Sequence, residues 1–156
     1  MLRSLYFPSH IGIEKMQIDK VLPHKAPFLF VDNISENEYM KYAKGTKKVY
    51  KEEFWAEGHF PGNPIFPGVL LLETMAQIGG FIFADENGDM ASSQFAYLTK
   101  VDQFRIKHKV VPGDTIEVQA KLIECFYKYY KIGAKAYVDK RLVADAEITY
   151  TFLEKL

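Results

Sequence analysis

GHFPGNPIFPGVLLLETMAQIGG, residues 58–80, passes from a turn-forming segment straight into an apolar run. Pro and Gly are too dense before Phe66 for helix or interior strand. Pro67 suits the first position of a helix, because its missing N–H would be unpaired there and its φ is already helical. A helix is therefore predicted from Pro67. From Val69 to Phe83 the residues are apolar on nearly every side, which marks a helix enclosed by protein. Glu73 and Gln77 are the exceptions, with Thr74 beside them. One turn apart, Glu73 and Gln77 share a stripe with Val69, Ala76 and Gly80. An ionised carboxylate among apolar side chains is costly, and the usual response is a raised pKa and a neutral acid. A purely structural Glu73 would be half-exposed or would cap a backbone group. His59 weighs against that bland account, because its Gly-His-Phe-Pro-Gly turn fixes it in one pose on a loop, where functional residues are commonly displayed.

Working outward, 156 residues with 48% hydrophobic content suit one domain with a real core. Twenty basic and twenty acidic residues balance, so no field favours nucleic acid as partner. Aromatics at 15% suit a sheet-rich structure. The single cysteine, Cys125, has no internal disulfide partner. No Cys/His spacing resembles a zinc site, and no GxGxxG or P-loop pattern supports a nucleotide cofactor. The N-terminus lacks the apolar core of a secretory signal, and the only long apolar run contains Glu73 and Gln77. The reading is cytoplasmic, with no membrane span.

The central stretch, together with LPHKAPFLFVD at 22–32 and VVPGD at 110–114, closely resembles the FabZ-type 3-hydroxyacyl-acyl carrier protein dehydratases, over roughly Ile18 to Phe152. The resemblance implies an α+β hot-dog fold, in which a curved antiparallel sheet wraps one long central helix, here Pro67 to Ala84. It also implies acyl carrier protein as partner, an acyl thioester substrate on its phosphopantetheine arm, and no metal or other cofactor. A homodimer is expected in which His and Glu of one site come from different protomers, and the family also assembles trimers of such dimers. Lys25, Ala26 and Asn33 depart from the commoner family pattern at the rim. They keep open a dehydratase of a dedicated polyketide or aryl-polyene pathway beside one of fatty acid biosynthesis. A hot-dog acyl thioesterase is a further alternative, although such enzymes usually lack the His-Phe-Pro-Gly turn.

Elimination of water from a 3-hydroxyacyl thioester needs a base at C2 and an acid for the hydroxyl leaving C3. His59 is assigned as base and Glu73 as acid. Gly68 opens the helix, so its N–H is a candidate oxyanion donor at the positive end of the dipole. Phe60, Pro67 and Gln77 complete the expected substrate-binding set, with Gln77 orienting Glu73. Lys100, Arg105 and Lys107 are candidate contacts for an acidic carrier. His24 is read as a structural hydrogen-bonding residue.

Along the rest of the chain, residues 1–17 form an arm of unread role and Ile18 to Leu22 a short helical turn stopped by proline. Phe28 to Ile34 reads as a strand. Glu38 to Glu53 reads as a long strand bulged at Gly45, with its lysines on a solvated face. Phe95 to Phe104, Arg105 to Val111, Thr115 to Tyr130, Lys131 to Val138 and Leu142 to Leu153 read as further strands. One helix followed by antiparallel strands is the α+β pattern.

Overall fold

The computed structural model describes residues 15–85, 87–90 and 94–154. Its elements are α1 (Lys15–Val21), β1 (Asn33–Glu38), β2 (Tyr42–Lys48), α2 (Gly68–Gly80), a 3₁₀ turn (Phe81–Phe83), β3 (Gln94–Ile106), β4 (Thr115–Phe126), β5 (Tyr129–Val138) and β6 (Arg141–Glu154). The strands form one sheet in the order β1-β2-β4-β5-β6-β3, antiparallel at every pairing. The sheet curves around α2, which packs against β2 through β6. This is the hot-dog arrangement. The expected arm falls at 1–14 outside the described residues, and α1 begins at Lys15, ahead of the expected Ile18.

The helix sits close to the sheet because the facing residues are small. Ala120, Ala134 and Ala136 line the sheet beneath it, with Ile116, Ile132 and Ile148 filling between. Met75, Ile78, Phe81 and Ile82 are fully enclosed, as an apolar circumference requires. Gly79 marks the tightest approach. A methyl group there would run into Ile132 Cδ1 and lie 3.0 Å from the Tyr150 hydroxyl. That hydroxyl donates to the Ala76 carbonyl at 2.7 Å. Burial, with the charge of Glu73 adding to it, pushes the Tyr150 phenol far above its ordinary value. It is therefore held as a donor.

Several expectations are corrected. Pro67 is the N-cap, not the first helical residue: its ψ of 134° is extended, while its carbonyl accepts from Leu70 and Leu71. The regular helix ends at Gly80, and only the 3₁₀ turn carries it to Phe83. Phe28 to Val31 is not a strand, for its polar backbone atoms pair with a side chain: Phe30 N–H donates to Gln77 Oε1 (2.8 Å) and Gln77 Nε2 donates to the Phe28 carbonyl (3.0 Å). Of the expected strand Glu38 to Glu53 only β2 is regular: a turn with Met40 at φ 57° separates it from β1, which ends at Glu38, and residues 49–53 form no strand. The bulge lies on β1 between Ile34 and Glu36, opposite Gly45, where a methyl group would sit 2.6 Å from the Asn33 carbonyl oxygen. Lys47 is buried, contrary to the solvated face expected of it.

Of the two strands expected across 95–111, the first runs on as β3 to Ile106, and residues 107–111 form no strand. Bulges at Leu98/Lys100 and Asp102/Arg105, with Gln103 at φ 55°, bend β3 without ending its pairing to β6. The expected strand 115–130 breaks at Tyr127, whose φ is 54°. Asp139 and Lys140 both have positive φ, the two-residue turn whose twist matches a hairpin.

Candidate active site

His59 lies in the loop between β2 and α2, and that loop is tied to itself. Its N–H donates to the Trp55 carbonyl (3.0 Å), its carbonyl accepts from Ile65 (2.7 Å), and Phe60 and Asn63 exchange backbone bonds. The His59–Phe60 peptide is cis. His59 Nδ1 lies 2.7 Å from the Ile65 carbonyl oxygen. A carbonyl only accepts, so Nδ1 carries the hydrogen and the neutral ring presents a lone pair at Nε2. Phe60 stacks on the imidazole at 4.1 Å between centroids. These contacts fix a base in one tautomer and one orientation.

Glu73 stands one turn into α2 behind Gly68. Gln77 Nε2 donates to its Oε1 at 2.9 Å, and Gln77 is itself clamped by the backbone at Phe28 and Phe30. His24 also reaches this carboxylate: its Nε2 lies 3.4 Å from Glu73 Oε1, while its buried Nδ1 has no partner. Sequence reading gave His24 only a structural part. Nothing local signals the contact, because the two residues are distant in the chain and meet through the folding of the Pro23–Pro27 turn onto α2.

Burial alone would push the Glu73 carboxyl up, as expected from sequence. Hydrogen bonds from His24 and then Gln77 outweigh it, and the group is held below its ordinary value. A carboxyl with a lowered folded pKa contributes stability that is complete above its ordinary 4.5 and is lost as pH falls through the lower folded value. Melting temperatures recorded from about pH 6 to about pH 3 should therefore fall more steeply for the wild type than for Glu73→Gln, the curves separating below about pH 4.5. Parallel curves would mean that Glu73 titrates alike in both states.

A cavity of about 350 Å³ opens beside Glu73, lined by His24, Gln77, Met90, Phe95 and Tyr150 among others. His59 is not among its lining residues. Gly68 lies beside Ile106, whose Cδ1 occupies the place a Cβ would take. Its N–H is a first-turn donor with no carbonyl a full turn behind it within the helix. Pro67 is buried behind it. Of the candidate carrier contacts, Lys100 pairs with Asp102 (3.2 Å), Lys107 with Asp145 (3.6 Å), and Arg105 donates to Gln103 (3.0 Å). Among the described residues, no His, Cys, Asp and Glu cluster is arranged to hold a metal ion, and no helix is long and apolar enough to cross a membrane.

Residues 22–147 match the FabA-like domain family. A 3-hydroxyacyl-(acyl-carrier-protein) dehydratase FabZ of Syntrophotalea carbinolica is 42% identical over 140 residues, spanning 90% of this chain and 95% of the relative. The protein of the same description from a Nitratiruptor species is 37% identical over 147 residues, spanning 92% and 99%. Among solved structures, the dehydratase heterocomplex ApeI:P of Xenorhabdus doucetiae is similar with a TM-score of 0.74 at 17% identity, over 88% of this chain and 91% of that one. A hypothetical thioesterase with coenzyme A from Streptococcus pneumoniae gives 0.57 at 11% identity, over 78% and 85%. At such identities the two structures speak to the fold alone.

Proposed function

The chain belongs to the FabA-like family as a FabZ-type 3-hydroxyacyl-acyl carrier protein dehydratase of fatty acid biosynthesis, a hydro-lyase, and on that premise we propose how its own residues carry the reaction. The observation that supports this reading most is the division of the site. Glu73 faces a cavity that His59 does not line. Around His59 and the start of α2, Phe60, Val69 and Ile106 remain exposed. Apolar side chains of that size beside a catalytic loop fit a surface that a second copy covers. Each site then joins Glu73 of one protomer to His59 of its partner.

In such a site His59 Nε2 takes the proton from C2, and the developing enolate oxygen accepts from the Gly68 N–H. Removing a donor of this type typically costs about 3–4 kcal/mol of barrier. As the C2–H and C3–O bonds break and the C2–C3 double bond forms, the carboxyl of Glu73 gives its proton to the departing hydroxyl, and water leaves. The proton on His59 then returns to the Glu73 carboxylate. Glu73 must be protonated when substrate is bound, whereas in the single chain it is held below its ordinary value. A partner and an acyl chain reconcile the two. Burial is already the largest single influence on this carboxyl, and covering its remaining exposed quarter drives it upward. No step calls for a metal or redox cofactor. Acyl carrier protein delivers the substrate, and the single thiol fits a cytoplasmic setting.

The test is conversion of a short enoyl thioester to its 3-hydroxy form, followed by loss of the conjugated ultraviolet absorbance beside a thiol-release assay. Reversible interconversion without thiol release is expected. Thiol release without interconversion would overturn the reading in favour of a thioesterase.

A further inference from the structure

The inward face of β2 reads Ala43, Gly45, Lys47, followed by Val49. Three of these are what a core strand presents. Lys47 is not, yet only 5% of it is exposed. Its ammonium donates to the Lys48 carbonyl (2.9 Å) and to Glu53 Oε1 (3.0 Å), and lies 5.7 and 5.8 Å from the ring centroids of Phe30 and Phe66. Cation–π contact and an anion together replace the water it has lost. Glu53 is equally occupied. Its Oε1 also accepts from the Tyr50 N–H (2.8 Å), and its Oε2 from Trp55 Nε1 (3.1 Å).

A buried ion pair is a poor stabilising device, for well-packed apolar residues of similar volume commonly do as well or better. This one stands where both supports of His59 begin. Trp55, held at its indole N–H by Glu53, supplies the carbonyl that fixes the His59 backbone. Phe66, packed on Lys47 and edge-on to Trp55 at 5.2 Å, directly follows Ile65, whose carbonyl orients the imidazole. The same charge therefore bears on the position and on the rotation of the ring.

We propose that Lys47 and Glu53 are positioning residues of the dehydratase, an ion pair beneath the loop that holds His59 in its proton-abstracting pose through Trp55 and Phe66. The proposal rests on His59 being the base. Misplacing a reacting group by about 1 Å can cost about 100-fold in rate, so the pair should show itself in kcat.

The decisive variant is the double replacement Lys47→Met with Glu53→Gln, which leaves no lone buried charge. It should fold and lose about 10- to 100-fold in kcat with KM within about 2-fold of wild type. Trp55 is the only tryptophan, so its emission reports directly whether the indole bond to Glu53 is broken. A folded double variant with shifted emission and wild-type kcat overturns the proposal. In a His59→Ala background the double replacement should cost nothing further, and a second loss of similar size would show action by another route. Should the double variant not fold, Trp55→Phe deletes the indole N–H and keeps an aromatic ring against Phe66. A drop of about 5-fold or more in kcat is expected there, and an unchanged kcat overturns the proposal. If His59→Ala itself retains wild-type turnover, the assignment of the base fails and not the link from Lys47 to the loop, which Trp55 emission reads independently.

Discussion

Glu73→Gln lowers turnover about 1,000-fold and leaves the fold intact, the expected scale for removing a positioned acid. The amide has the shape of the carboxyl but cannot give up a proton to a departing hydroxyl. Gln77 and His24 would still meet an oxygen at the Oε1 position, so the loss belongs to proton transfer and not to collapse of the site. His59→Ala should lose a comparable factor for a different reason, because the Nε2 that takes the C2 proton, oriented by the Ile65 carbonyl through Nδ1, is gone. The informative sample is the mixture. Protomers carrying His59→Ala and protomers carrying Glu73→Gln are each inactive, but a dimer of one with the other contains one intact site if each site draws on both chains. Random reassortment should then recover roughly a quarter of wild-type activity. No recovery from a mixture shown to exchange subunits would place both residues of a site in one chain. The readout is enoyl-thioester hydration per mole of protein, before and after subunit exchange.

Gly79→Ala is the largest expected loss of stability, about 2 kcal/mol, while the adjacent Gly80→Ala costs nothing and gains about 0.5 kcal/mol. Propensity alone would predict gains at both, since glycine is the weaker helix former. Packing decides otherwise. At position 79 a methyl group would run into Cδ1 of Ile132, a fully buried side chain that would have to shift, and would crowd the Tyr150 hydroxyl at 3.0 Å. Moving that hydroxyl breaks its bond to Ala76. At position 80 the nearest atom, Leu22 Cδ2, is 3.9 Å away, an ordinary contact, and the backbone φ of −60° suits alanine. Urea unfolding should show the midpoint falling for Gly79→Ala and rising slightly for Gly80→Ala, with unchanged slopes. Equal midpoints would mean that the helix stands further from β5 than described.

The comparison of these two glycines shows what the sequence could and could not convey. The apolar circumference of 69–83 announced an enclosed helix, and turn chemistry at Pro112-Gly113-Asp114 and Asp139-Lys140 placed two of the sheet's turns. What escaped were the positions where a side chain from elsewhere overrides local pattern. Phe28 to Val31 has every mark of a strand, yet Gln77 supplies the partner that a neighbouring strand would have given. Lys47 sits among lysines and looks like one more solvated charge. Only alternation with Ala43, Gly45 and Val49 hinted that it points inward, and only Glu53 and two rings explain how it can. The same limit applies to the acid. An isolated carboxyl in an apolar helix reads as neutral, and the donors that reverse this in the single chain, His24 above all, are set there by tertiary structure. His59 and its loop were easier to read, because Pro and Gly fix the turn locally. The cavity beside Glu73 is a different matter, since no run of sequence says which residues will line it.

The clamp of Gln77 on the Phe28–Phe30 backbone has one more consequence, in the exchange of hydrogen with solvent. An amide outside every helix and strand ordinarily swaps its proton quickly, but that of Phe30 is buried on the side chain of a central helix. It can be released only when Gln77 lets go, the same event that frees one side of the Glu73 carboxylate. The isotope lifetime of that single proton is thus a clock for how often the site comes apart.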